Sequence, residues 1–203
     1  MEENNNTSWE EEVENDEQTK SKTKAARSTL YILIAIIGIG VGIWSFMGGA
    51  GAGRNFDEWG THREGAVTVR VPTDRIRVDE EQDTHIPELS MIVMESITRA
   101  AEVAVIRTDG FASMALPRSA MEDMSEFLLQ TSAEELANNP VISSGTMGGV
   151  PFDSATGMYR GRRPFEMRAF VADNEIYVVA IVVSNEDNMD LITQFFNSLE
   201  IHR

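Results

Sequence analysis

The chain of 203 residues contains no cysteine. That excludes a disulfide framework, a thiol nucleophile and a thiolate metal site. Lysine is confined to Lys20, Lys22 and Lys24. Every permanently cationic side chain after Lys24 is an arginine, so Schiff-base, Ser-Lys dyad and P-loop lysine chemistry have no residue to use there. Histidine is scarce too, and His62, His85 and His202 form no metal-type spacing with one another. Positive charge as a whole is sparse: 17 Lys and Arg stand against 33 Asp and Glu, a net of −16. A chain this acidic lacks the basic footprint that general nucleic-acid binding needs.

The charge is unevenly spread. Residues 1–28 carry eight acidic and four basic groups, residues 28–53 carry none, and residues 54–203 keep the remaining net of −12. The acidic head, MEENNNTSWEEEVENDEQ, has too little apolar surface to offset the entropy of ordering it. It is expected to be a disordered tail over residues 1–28 with a basic end next to a membrane. Residues 30–47 read LYILIAIIGIGVGIWSFM, 18 positions without a charge. At 1.5 Å per residue a helix of that length covers about 27 Å, close to the hydrocarbon thickness of a bilayer. Tyr31 and Trp44 sit near its two ends, where amphipathic rings favour the interface. The reading is one transmembrane helix over 29–47, in contact with the lipid bilayer.

Lys20, Lys22, Lys24 and Arg27 precede this span, whereas Arg54 and Arg63 are the only basic residues in a similar window after it. Basic flanks are retained on the cytoplasmic side, so the N-terminus is expected in the cytoplasm and the rest outside. A cleaved signal peptide is the rival, because Ala50-Gly51-Ala52 resembles a cleavage site. The long acidic head and the length of the apolar run favour an uncleaved anchor. Gly38 and Gly42 form a G-x-x-x-G face, through which two helices could approach as a homodimer.

Residues 48–65 open with GGAGAG and are expected to be a flexible linker. The domain itself is placed at 66–203. Alternation in AVTVRV predicts a strand at 66–71, and Ile76 and Val78 a short second one. Residues 79–87 read as an acidic loop, and the runs 89–96 and 101–107 as paired strands ending in a Thr108-Asp109-Gly110 turn. Pro117 opens a helix whose apolar side is traced by Met121, Met124, Phe127, Leu128 and Leu136, stopped by Asn138-Asn139-Pro140. Strands follow at 141–147, 152–160, 165–171 and 176–183. Gly148-Gly149 turns the first pair, and Ala172-Asp173-Asn174-Glu175 joins the last as a hairpin. The run IYVVAIVV is apolar throughout, so it should lie centrally with both faces covered. Met189, Ile192, Phe195, Phe196 and Leu199 then mark a helix capped by Asn185 or Asp187. The fold class is α+β, a mainly antiparallel sheet flanked by helices and preceded by the transmembrane helix.

The stretch 141–199 resembles the C-terminal half of Mog1/PsbP-like domains. The residues that carry the resemblance are Gly148-Gly149-Val150-Pro151, RPFEMRAFVADNEIYVVAIVV at 163–183, and FFNSLEI at 195–201. It implies a layered sandwich serving as a non-enzymatic module that docks on a partner protein. The pattern is one of core positions, so it carries over no ligand residues.

Nothing in the chain assembles a catalytic or cofactor site. Ser143-Ser144-Gly145 lacks the nucleophile elbow, and Asp79-Glu80-Glu81-Gln82-Asp83 lacks the ligand series and glycine of a calcium loop. No catalytic, cofactor or metal residue is therefore assigned. One local contrast remains. Arg160-Gly161-Arg162-Arg163, with Arg168 nearby, concentrates positive charge in an acidic domain. Guanidinium forks suit carboxylates and phosphates, which makes Arg160, Arg162, Arg163 and Arg168 the candidate contact for a protein partner. The alternatives are a small-ligand or lipid-binding module, or a hydrolase relying on Asp, Glu or Ser.

Overall fold

A computed structural model describes residues 55–72, 76–82, 90–109 and 116–202. Ten strands and two α-helices are found among them. The strands are β1 (Gly60–Glu64), β2 (Val67–Val71), β3 (Ile76–Gln82), β4 (Ser90–Ile97), β5 (Ala101–Asp109), β6 (Val141–Met147), β7 (Val150–Tyr159), β8 (Arg163–Ala172), β9 (Glu175–Val183) and β10 (Glu200–Ile201). The helices are α1 (Arg118–Leu136), between β5 and β6, and α2 (Met189–Asn197), between β9 and β10. Seven strands form one sheet in the order β3-β4-β5-β9-β8-β7-β6, and β1-β2-β10 form a second. All pairings are antiparallel.

Strand β9 shows why the layers stack as they do. Side chains alternate across a strand, and here both sets are apolar. Tyr177, Val179, Ile181 and Val183 enter one core cluster together with Val67, Val69, Leu191 and Phe195. Ile176, Val178, Ala180 and Val182 enter the other, with Met121, Leu128, Leu129 and Ala133 of α1. One face of the seven-stranded sheet is thus covered by α1, and the other by the small sheet and α2. The continuous apolar run predicts this central position, and β9 is the fourth of the seven strands.

Local chemistry sets the hairpins. Asp173 and Asn174 both take positive φ, 49° and 59°, and close a two-residue turn between Ala172 and Glu175. Asp and Asn tolerate this left-handed region, and the turn type matches the strand twist. Gly148 and Gly149 do the same between Met147 and Val150, at φ 58° and 77°.

Several expectations differ from what is observed. Residues 55–65, assigned to the linker, form a 3-10 turn at Phe56–Glu58 and strand β1. Phe56 and Trp59 are buried in the core beside β2, so apolar burial makes these residues part of the domain rather than of a linker. Asp79 through Gln82 are strand rather than loop, because β3 pairs with β4 as far as Gln82 opposite Ser90. Thr108 and Asp109 likewise stay in β5 through pairing with Met91 and Ser90. Phe127 is 41% exposed, since it lies about 200° around the helix from the buried Leu129. Neither proposed cap operates at α2. A 3-10 turn at Glu186–Asn188 precedes it, and the Asn185 side chain accepts from the Asn188 amide instead of a backbone N–H.

The span 29–47, with Gly38 and Gly42, lies outside the described residues. Among those described, no helix is long and apolar enough to cross a membrane.

Phe195 is fully buried and packs edge-on against Phe196 at 5.0 Å between ring centres. Phe195→Ala should cost about 3–5 kcal/mol. Phe127→Ala, at an outward position, should stay within about 0.5 kcal/mol of the parent. Urea unfolding of both variants measures the contrast.

Candidate functional site

The β7–β8 connection carries the arginine cluster. Arg160 at φ 50° and Gly161 at φ 68° bend the chain back. The Gly161 N–H donates to the Met158 carbonyl and the Arg162 N–H to that of Tyr159, both at 3.2 Å. Arg160 and Arg162 are exposed on this turn. The Arg160 guanidinium lies 5.0 Å over the buried Tyr159 ring, which braces its stem without removing its charge from water. No ion pair involves Arg160 or Arg162 among the described residues.

Arg163 and Arg168 do different work. Arg163 Nη1 meets Glu102 Oε1 at 2.8 Å, and both side chains are largely buried. Its Nε donates to the Val183 carbonyl at 3.4 Å. Burial raises the Glu102 carboxyl above its ordinary value, while Arg163, and Arg160 beyond it, oppose that rise. Arg168 stands five positions further along β8, so the strand alternation turns it to the opposite face of the sheet. There its Nη2 meets Glu166 Oε1 at 2.7 Å. Its guanidinium carbon lies 4.6 Å from the Phe152 ring centre and 4.0 Å from that of Phe196. Arg168 is a packed part of the α2 layer. The four arginines therefore do not converge: Arg160 and Arg162 face solvent, Arg163 anchors the turn to β5, and Arg168 belongs elsewhere.

The other chemistry-bearing residues are engaged locally. His202 Nε2 and Thr68 Oγ1 share a hydrogen bond of 2.8 Å. His62 Nε2 is 4.0 Å from Glu64. Ser144 Oγ donates to Asp153 Oδ1 at 2.7 Å, and the Ser143 and Ser154 hydroxyls meet at 2.8 Å. His85 and Asp83 lie outside the described residues. No group of three or more potential metal ligands occurs among those described.

A second charged cluster was not legible in the sequence. Arg107 on β5 is 3.1 Å from Glu64 of β1, 3.5 Å from Glu175 of β9 and 3.9 Å from Asp109. The Tyr177 hydroxyl accepts from the Ala66 N–H at 2.9 Å and donates to Glu175 Oε2 at 2.6 Å. Gly65, at φ 55°, sits so close that a Cβ there would strike the Tyr177 hydroxyl and the Arg107 guanidinium. Burial raises the Glu175 carboxyl, countered by the Tyr177 hydrogen bond and by Arg107. Burial also raises the Tyr177 phenol, and its bond to Glu175 adds to the rise. This network clips the β1–β2 turn onto the centre of the large sheet. Glu64 and Glu175 are far apart in the chain, and no local pattern announces their meeting.

Comparisons with known proteins give little more. No protein-family profile matches the chain, and no curated protein does. Among solved structures, the solution structure of cyanobacterial PsbP (CyanoP) from Synechocystis sp. PCC 6803 aligns with a TM-score of 0.39 at 10% identity, over 76% of this chain and 98% of that one. The antiparallel α+β architecture rests on the chain's own strand pairings.

The raised Glu102 carboxyl has a consequence for stability. Its proton is held more tightly in the folded state than in the unfolded one. The stabilisation is present below the unfolded value and is lost as pH rises through the folded value. Relative to the parent, Glu102→Gln should gain stability as pH rises through the window just above the ordinary value of 4.5. Urea midpoints across that window measure it, and a constant difference between the two proteins contradicts it.

Proposed function

We propose that this chain is a non-enzymatic docking module. In this reading a helix over 29–47 holds the domain at the outer face of a membrane, with the N-terminus in the cytoplasm. The exposed turn at 160–162 receives a carboxylate or phosphate group of a partner protein. A layered sandwich of the Mog1/PsbP-like kind, as the residues of 141–199 suggest, is the finer fold assignment that goes with it.

One observation carries the reading. Two guanidiniums without ion pairs stand on a braced turn of a domain whose net charge is −12. An acidic protein tends to neutralise its few cations internally, as this one does with Arg107, Arg163 and Arg168. Arg160 and Arg162 are left available to an outside anion. The bond from Arg163 to Glu102 fixes the base of the turn, so less ordering entropy is lost on binding. Guanidinium forks match carboxylate and phosphate oxygens in pairs.

The test uses the full-length protein in sealed membrane vesicles. Protease added at the cytoplasmic face should trim the acidic head and spare the domain. A photo-crosslinker at Ser184, which follows the Val183 carbonyl held by Arg163 at the base of the turn, should give a partner adduct that falls at least tenfold in an Arg160→Ala, Arg162→Ala double variant, for a loss of about 1.4 kcal/mol or more. The variant's melting temperature should change little, because neither side chain is buried. Digestion of the domain from the cytoplasmic face overturns the placement, and an undiminished adduct overturns the role of the arginines.

A further inference from the structure

We propose that β6 is the pairing edge of a homodimer, in which two copies join β6 to β6 antiparallel about a two-fold axis through Ser144. The inference is independent of the docking reading.

The large sheet has two edges, and they are treated differently. β3 carries Arg77, Asp79 and Glu80, the kind of charge that blocks edge-to-edge pairing. β6 reads VISSGTM and carries none. It lies within an uncharged run, residues 136–152, that is longer than any other after Gly53. Val141 is 66% exposed and Ile142 41%. An exposed, uncharged, seven-residue edge is a strand-pairing surface rather than an ordinary solvated edge. In a domain of net charge −12, the strand itself adds no like charge to the approach of a second copy; the nearest carboxylate is Asp153 of β7, which accepts from Ser144 Oγ at 2.7 Å.

Register selects the occupant. The Gly148-Gly149 turn makes Met147 and Val150 the closing pair of a two-residue hairpin. Hydrogen-bonded pairs then alternate along the ladder, and the N–H and C=O groups of Ile142, Ser144 and Thr146 point away from β7. A two-fold axis at Ser144 sets Ser144 opposite its own copy and Ile142 opposite Thr146. Each outward group of one strand then meets an outward group of the other. The same axis brings Val141 against Met147, covering the most exposed apolar side chain of the strand. The small residues Ser143, Ser144 and Gly145 occupy the centre; from β7 the Phe152 ring packs over Gly145 and the Asp153 carboxylate accepts from Ser144. Two seven-stranded sheets become one of 14 strands, with both α1 helices on one side. The backbone spacing alone would accept any extended strand; what this strand's own sequence offers a second copy is the apposition of Val141 with Met147 at both ends of the ladder.

The absence of native cysteine gives a clean test. Ser144→Cys in the full-length protein should form a covalent dimer with a short thiol crosslinker at least tenfold faster than Val78→Cys on the charged edge. Adding Thr146→Pro removes one outward N–H at an edge position that tolerates proline. It should bring the Ser144→Cys rate down to that of Val78→Cys with an unchanged circular dichroism spectrum. Ser144→Asp, which sets two carboxylates face to face, should raise the dimer dissociation constant at least tenfold. Equal rates at positions 144 and 78 overturn the proposal, and that is the outcome of pairing through the membrane span alone. A Ser144→Cys adduct formed mainly with a different protein, or a rate unaffected by Thr146→Pro, overturns it too.

Discussion

Burial of β9 on both faces is the constraint from which the rest of the domain follows. A half-buried strand needs one cover, but a strand apolar at every position needs two. The chain supplies α1 for one face, and for the other the small sheet with α2. Because alternate residues of the same strand belong to the two cores, neither layer can be lost without exposing β9. Both helices, the N-terminal hairpin and the final strand are in this sense arranged around one segment of nine residues.

Charge follows the same geometry. Arg107 pairs across the ladder with Tyr177 of β9 and draws Glu64 and Glu175 onto it. Arg163 reaches Glu102 on β5 and the last carbonyl of β9. These ion pairs sit where strands from distant parts of the chain meet. Removing one partner leaves a poorly solvated charge, so each pair penalises any register but the native one. Arg160 and Arg162, which make no ion pair among the described residues, lie at the far tip of a hairpin, where the scaffold positions a loop without needing it.

The parts of the fold that were legible in the sequence are those set by local pattern. IYVVAIVV announces a central strand, Asp173-Asn174 its turn, and Met121 to Leu136 a helix, because periodicity and turn chemistry act over a few residues. Phe56 and Trp59 were less legible. Two aromatics in a polar stretch have no period, and only the core cluster shows that they are buried. The strand at Glu200–Ile201 is two residues long and exists by pairing with β2. At the candidate site, the four arginines were visible as composition. The separation of Arg168 from the others follows from strand parity, which becomes countable only once β8 is known to run unbroken from Arg163 to Ala172. The Arg107 network depends on contacts between β1, β5 and β9 that no spacing rule reaches.

The central claim is that β9 is shared by both layers and therefore opens only when the whole domain does. Native-state hydrogen exchange of the amides of residues 176–183 tests it directly. The account predicts that their opening free energy equals that of global unfolding measured by urea, and that it exceeds the value for β6. Exchange of β9 amides through an opening well below the global value, with α1 or the small sheet detaching alone, would contradict it.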